Sequence, residues 1–149
     1  RATAEGDKLP SEEWSYSSIL GGILYVANLT RPDIAFAANR LTRYLKNPNS
    51  AHCQALKRLV RYLYHTREIG VRYSSGSANP FRLSAAADAS FADCEDKNRS
   101  TLGWCQWIGG YDGKPSGVLT WGSRIGRNVA LSTTESEVQA GLELLRDVK

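Results

Sequence analysis

The sequence predicts an α+β fold, a three-helix unit followed by a partial antiparallel sheet of three strands and one more helix. Three observations predict it. Apolar residues recur at helical spacing between Ile19 and Leu63. From Phe81 the pattern turns strand-like, and Trp104, Trp107 and Trp121 supply the apolar load of a small sheet. Between the halves lies Ser74-Ser75-Gly76-Ser77-Ala78-Asn79-Pro80, a linker-type composition. The expected organisation is a frayed polar tail at residues 1–10, a helical unit at 11–73, a linker at 74–80 and a second domain at 81–149.

In chain order, Ser11 followed by Glu12 and Glu13 is a cap candidate for a first helix ending near Asn28, with Ile19, Leu20, Ile23, Leu24 and Ala27 as its stripe. Gly21-Gly22 weakens that helix by about 1 kcal/mol per glycine and would let another backbone approach. Thr30-Arg31-Pro32-Asp33 starts a second helix, because proline fits the first turn and an acid suits the positive end of the helix dipole. Its stripe is Ile34, Ala35, Ala38, Leu41 and Leu45. Asn47-Pro48-Asn49-Ser50 stops it and caps a third helix running to about Thr66, with Ala55, Leu59, Val60 and Leu63 as the buried face. Gly70 to Tyr73 is a short strand-like run. The polar faces of the second and third helices carry Arg40, Arg43 and Lys46, then Lys57, Arg58, Arg61 and Arg67. A solvated face is the ordinary reading of such a set, and contact with phosphates is the sharper one.

In the second half, Leu83 to Ala89 reads as a strand that delivers Asp88 to its end. Thr101 to Ile108 and Val118 to Trp121 read as two more strands, joined by a turn around Asp112-Gly113. In Leu131-Ser132-Thr133-Thr134-Glu135-Ser136-Glu137-Val138, hydroxyl caps precede acids at a helix start. A meander returning to a helix can set Asp88 beside Glu137. Two carboxylates held together bind a divalent cation, since hard Mg²⁺ prefers oxygen ligands.

Composition alone bounds less. A net charge of +4 and a pI near 9.1 suit nucleic acid without requiring it. There is no apolar run of the roughly 18–20 residues that a membrane helix needs and no signal-peptide pattern, so the chain reads as soluble, intracellular (cytoplasmic or nuclear) and free of membrane. Cys53, Cys94 and Cys105 lack metal-type spacing and read as free thiols in a reducing compartment. His52, in the first turn of a helix, reads as structural, and His65 as a surface residue. Tyr44, Tyr62 and Tyr64 read as packing residues.

Four ordered blocks carry a resemblance. Tyr25-Val26-Ala27-Asn28-Leu29-Thr30-Arg31-Pro32-Asp33-Ile34-Ala35-Phe36-Ala37 and Leu59-Val60-Arg61-Tyr62-Leu63-Tyr64-His65-Thr66 precede Asp88-Ala89-Ser90-Phe91-Ala92-Asp93 with Arg99-Ser100-Thr101-Leu102-Gly103-Trp104. Leu119-Thr120-Trp121-Gly122-Ser123 and Ala130-Leu131-Ser132-Thr133-Thr134-Glu135-Ser136-Glu137 follow. Nearly the whole chain from Tyr16 resembles copia-type retrotransposon Pol polyproteins, from the end of the reverse transcriptase (thumb or connection) into the N-terminal part of the ribonuclease H domain.

The resemblance implies Mg²⁺- or Mn²⁺-dependent cleavage of the RNA strand of an RNA–DNA hybrid, with Asp88 and Glu137 as catalytic metal ligands. Glu135 is expected to point away from the metal, and Ser90 stands where many relatives have a second aspartate. The family's third and fourth acidic ligands have no counterpart up to Lys149, so a C-terminally truncated, weakly metal-binding ribonuclease H is expected. Asp93, Glu95 and Asp96 lie on a loop, mispositioned to replace them. Arg40, Arg43, Lys57, Arg58, Arg61, Arg99 and Ser100 are the expected nucleic-acid contacts. Expected partners are an RNA–DNA hybrid, the rest of a reverse transcriptase polyprotein and a second copy joined through the open sheet edge. The competing reading is a non-catalytic remnant that binds nucleic acid or a protein partner, by strand addition at that edge.

Overall fold

A computed structural model of the chain describes residues 15–73, 82–94, 98–109 and 115–147. The tail at 1–10, the Ser11 cap, the linker at 74–80, Glu95, Asp96 and the turn at Asp112-Gly113 lie outside the described residues. The chain divides into two compact units, Arg1–Gly70 and Val71–Lys149.

The first unit is helical. Ser15 caps α1 (Tyr16–Leu29) by accepting the Ser18 N–H, and Tyr16, Leu20, Ile23 and Ala27 form its buried stripe. The Tyr16 hydroxyl donates to the Leu41 carbonyl, tying α1 to the end of α2, and burial pushes its pKa up to about 12. Gly21 and Gly22 face open space, with nothing within 4 Å of an added Cβ, so the expected close backbone approach does not occur there.

A single 3₁₀ turn, Pro32–Ile34, leads into α2 (Ala35–Thr42). This helix stops three residues short of Leu45, which is exposed. From Arg43 to Leu45 the N–H groups bond three residues back rather than four, and Pro48 disfavours helical conformation just before it.

In α3 (Ser50–His65), Asn49 accepts the His52 N–H and His52 Nδ1 accepts the Asn49 N–H, a reciprocal capping box. The imidazole also stacks on Tyr44, with ring centroids 3.6 Å apart. The buried residues are Cys53, Leu56 and Leu59, so the stripe lies one step round the helix from the expected one, leaving Ala55 and Val60 exposed. These residues join those of α1 and α2 in one core.

The second unit is a meander of β1 (Arg82–Ser90), β2 (Thr101–Gly109) and β3 (Pro115–Ile125), antiparallel in the order β1-β2-β3. α4 (Thr133–Asp147) packs over β1 and β2. Its inner face sets Ser136, Ala140 and Glu143 against the sheet. Gln106 donates to the Leu144 carbonyl and the Trp104 indole donates to Asp147. Trp104 leans over its cross-strand partner Gly122, which has no side chain to obstruct it.

By alternation, Ala87, Trp104 and Gly122 share the face under α4, while Trp107 and Trp121 stand on the other face. All three tryptophans are half-buried rather than core. Residues 70–73 form no strand: Tyr73 instead lays its ring over Gly117 and donates its hydroxyl to the Val118 carbonyl, a side-chain contact in place of a ladder.

Candidate functional site

Asp88 sits two residues before the end of β1, opposite Gly103. Alternation gives it the face of Gly103 and Ser123, away from α4. Its carboxylate is exposed.

Glu137 lies in the first turns of α4 and is exposed too. The contacts of α4 toward β3 come from Glu143, which pairs with Arg124, and from Gln139, whose Oε1 lies 3.0 Å from an added Cβ on Gly126. At 100° per residue Glu137 occupies the opposite flank, toward β1. Asp88 therefore stands on the face of the sheet away from α4 and Glu137 on the helix that covers the other face, so the structure does not set the two carboxylates side by side, contrary to the expectation from the meander and helix start.

Glu135 is committed elsewhere. Its Oε2 accepts the Leu131 N–H while its own N–H bonds to Ser132 Oγ, so this acid fixes the start of α4.

The loop between β1 and β2 is closed by its own bonds. Thr101 Oγ1 lies 2.6 and 2.7 Å from the two Asp93 oxygens, and the Cys94 N–H donates to the Arg99 carbonyl. Ala92 and Asn98 adopt φ of 50° and 47°, the left-handed conformation that a tight reversal requires. Ser100 is 0% exposed and its Oγ accepts the Ala92 N–H. This corrects the expectation of a nucleic-acid contact, because a hydroxyl enclosed by its own loop presents nothing to a ligand. Arg99 remains partly accessible.

On the helical unit Arg40, Lys57, Arg58 and Arg61 are exposed and Arg43 is half-buried. Lys57, Arg58 and Arg61 share the face of α3 away from Cys53, Leu56 and Leu59.

Three buried groups escaped the sequence reading. Arg31 is 3% exposed and forks onto Asp33. Glu143, 5% exposed, pairs with Arg124 of β3 and Arg146 of α4, and Arg124 also lies 5.5 Å from the Trp104 ring centroid. Burial, helped by Arg127 and Arg146, holds the Arg124 pKa below its usual value. Gln106 is buried beneath α4. Only the crowding of charge along 143–147 hinted at Glu143. Burial also raises the Cys53 and Cys105 thiols, which keeps them protonated.

No family model matches the sequence, and no solved structure matches it. Among curated proteins, it is 37% identical over 84% of its length to secreted RxLR effector protein 161 of Plasmopara viticola, of which it covers 82%. It is 36% identical over 91% of its length to the retrovirus-related Pol polyprotein from transposon RE2 of Arabidopsis thaliana. It is 37% identical over 86% of its length to the corresponding polyprotein from transposon TNT 1-94 of Nicotiana tabacum. The chain spans only 9% of each of these two polyproteins. Among the described residues no helix is long and apolar enough to cross a membrane.

Proposed function

The chain belongs to the family of retrovirus-related Pol polyproteins of transposons, and from that premise we propose that its second unit is part of a ribonuclease H domain degrading the RNA strand of RNA–DNA hybrids. The observation that carries the reading is the likeness to Pol polyproteins over most of the chain, beside a fold that puts one exposed acid, Asp88, on the edge strand and another, Glu137, in the first turns of the helix packed over that strand's other face. The first unit would lie against the hybrid through Arg40, Arg58 and Arg61, whose exposed guanidinium groups suit phosphate.

The donor set fits Mg²⁺ or Mn²⁺ in kind but not in number. Two hard carboxylates are present, yet among the described residues no group of three or more His, Cys, Asp or Glu side chains is placed to hold an ion. Asp88 and Glu137 alone are not a metal centre, and no reaction step is assigned to them through one. Activity in this reading requires further acids from elsewhere in a polyprotein. The same shortage favours a second reading, a non-catalytic unit that binds nucleic acid or completes its sheet with another chain.

A hybrid-cleavage assay with Mg²⁺ or Mn²⁺ separates the two. The chain alone and a longer polyprotein stretch containing it are compared, each with Asp88→Asn. Cleavage that appears in the longer protein and disappears with Asp88→Asn supports the enzyme. Cleavage that survives Asp88→Asn, or a longer protein that binds hybrid without cutting it, overturns it.

A further inference from the structure

α4 is apolar on a face it does not bury. Ser136, Ala140 and Glu143 lie on the sheet, whereas Val138, Leu142 and Leu145 stand 58%, 49% and 66% exposed. Their spacing of four and three residues stacks them into one stripe on the side of the helix away from the sheet. Leu131, just before the helix, is 90% exposed as well. One exposed leucine needs no explanation, but a run of them along one helix face marks a contact surface. A stripe this narrow has the width of a helix–helix seam.

The charges beside it indicate what fills that seam. Glu135 and Arg146 fall on the same flank of the stripe, near its opposite ends. Two copies of α4 set parallel would put the flanks that carry Glu135 and Arg146 on opposite sides of the seam, where neither charge reaches its counterpart. Set antiparallel, each Glu135 meets an Arg146. Both side chains keep an atom for this: Glu135 spends Oε2 on the Leu131 N–H, and Arg146 spends Nη1 on Glu143.

We propose that this outer face is a self-association surface, pairing α4 with the α4 of a second copy antiparallel about a two-fold axis at Leu142. Leu142 then packs on its own symmetry mate, Val138 meets the partner's Leu145, and the two Glu135–Arg146 contacts close the flank. The assembly is isologous and closes at two chains. It is independent of the sheet edges and of any reading of Asp88 and Glu137.

Sedimentation equilibrium tests the state and cysteine cross-linking tests the geometry. The chain is expected to show a concentration-dependent monomer–dimer equilibrium. Leu142→Asp, at an exposed position, is expected to weaken it at least ~10-fold, an effect of about 1.4 kcal/mol, with an unchanged circular dichroism spectrum. Arg146→Glu is expected to weaken it most at low salt. Under mild oxidation Leu142→Cys should link to itself. Val138→Cys alone should not link, but should do so when mixed with Leu145→Cys. A chain that stays monomeric at every concentration, a dimer indifferent to Leu142→Asp, or self-linking by Val138→Cys without Leu142→Cys overturns the proposal.

Discussion

The Arg31 guanidinium donates to both oxygens of Asp33, at 2.8 and 2.7 Å, and its remaining nitrogen reaches the Thr66 carbonyl at 2.9 Å. Nη2 also donates to Thr66 Oγ1, and the Tyr62 hydroxyl donates to Asp33. The segment between α1 and α2 is thereby latched to the C-terminal end of α3. Replacing Arg31 by Ala leaves Asp33 and the Thr66 carbonyl without this partner and should destabilise the helical unit by about 2–4 kcal/mol, discounted from a fully buried pair because Asp33 is partly exposed. Arg31→Lys should recover only part of this, since an ammonium cannot fork. Urea unfolding followed by circular dichroism measures both.

The same latch gives the unit an acid limit. The Arg31 hydrogen bond, followed by that of Tyr62, holds the Asp33 pKa below its ordinary value despite burial. A carboxylate depressed in the folded state contributes stability that is complete above its unfolded pKa, near 3.8, and is lost as pH falls through the folded value. Asp33→Asn should remove that component of the acid transition. Unfolding midpoints of both proteins that fall in parallel below pH 4 would count against it.

His52 acts at a higher pH. Burial lowers its pKa from 6.5, and Nδ1 must be unprotonated to accept the Asn49 N–H. Its contribution is therefore complete above pH 6.5 and declines as pH falls through the folded value. His52→Gln, which can still accept the cap N–H, should flatten this dependence. An imidazole titration by NMR is expected to give a midpoint below 6.5, and a midpoint above it would refute the assignment.

These groups show what the sequence made legible and what it did not. The α3 cap was readable from Asn47-Pro48-Asn49-Ser50, the second and third strands from their β-branched and aromatic residues, and the first from its short apolar and small-residue run, because these signals are local. Burial of Arg31 was not, because an arginine beside a helix start reads as solvated until Thr66, 35 residues away, supplies its carbonyl. Glu143 was hidden for the same reason, since Arg124 reaches it from another strand. The stripe of α3 was misplaced by one step because Leu59 fits either periodicity, and packing against α1 and α2 decides which. For the proposed site, the sequence offered Asp88 and Glu137 as acids but not their placement, because the sheet face that Asp88 takes depends on the register with Gly103.

Gly122 should tolerate no side chain. A Cβ there would lie 2.2 Å from Trp104 Cζ2 and 2.6 Å from Cε2, so Gly122→Ala must displace the indole from Asp147 and from Arg124. The expected cost is about 1–3 kcal/mol, as for other overpacked sites. Near-UV circular dichroism should report the moved indole. Unchanged stability together with an unchanged tryptophan signal would contradict the packing described.

The basic face of α3 makes the last prediction. Arg58 and Arg61 are exposed and one turn apart, on the side of the helix away from its core. If they contact the phosphates of an RNA–DNA hybrid, the affinity should fall linearly with the logarithm of salt concentration, and Arg58→Gln with Arg61→Gln should lower that slope by about two units. The loss should be uniform across hybrid sequences, because phosphate contacts position a duplex without reading its bases. Fluorescence anisotropy over a salt series measures both quantities. A slope unchanged by the double substitution would move the contact to another face. A loss that varies with sequence would mean base contact, which two arginines on an exposed helix face do not make with the narrow, deep major groove of an A-like hybrid.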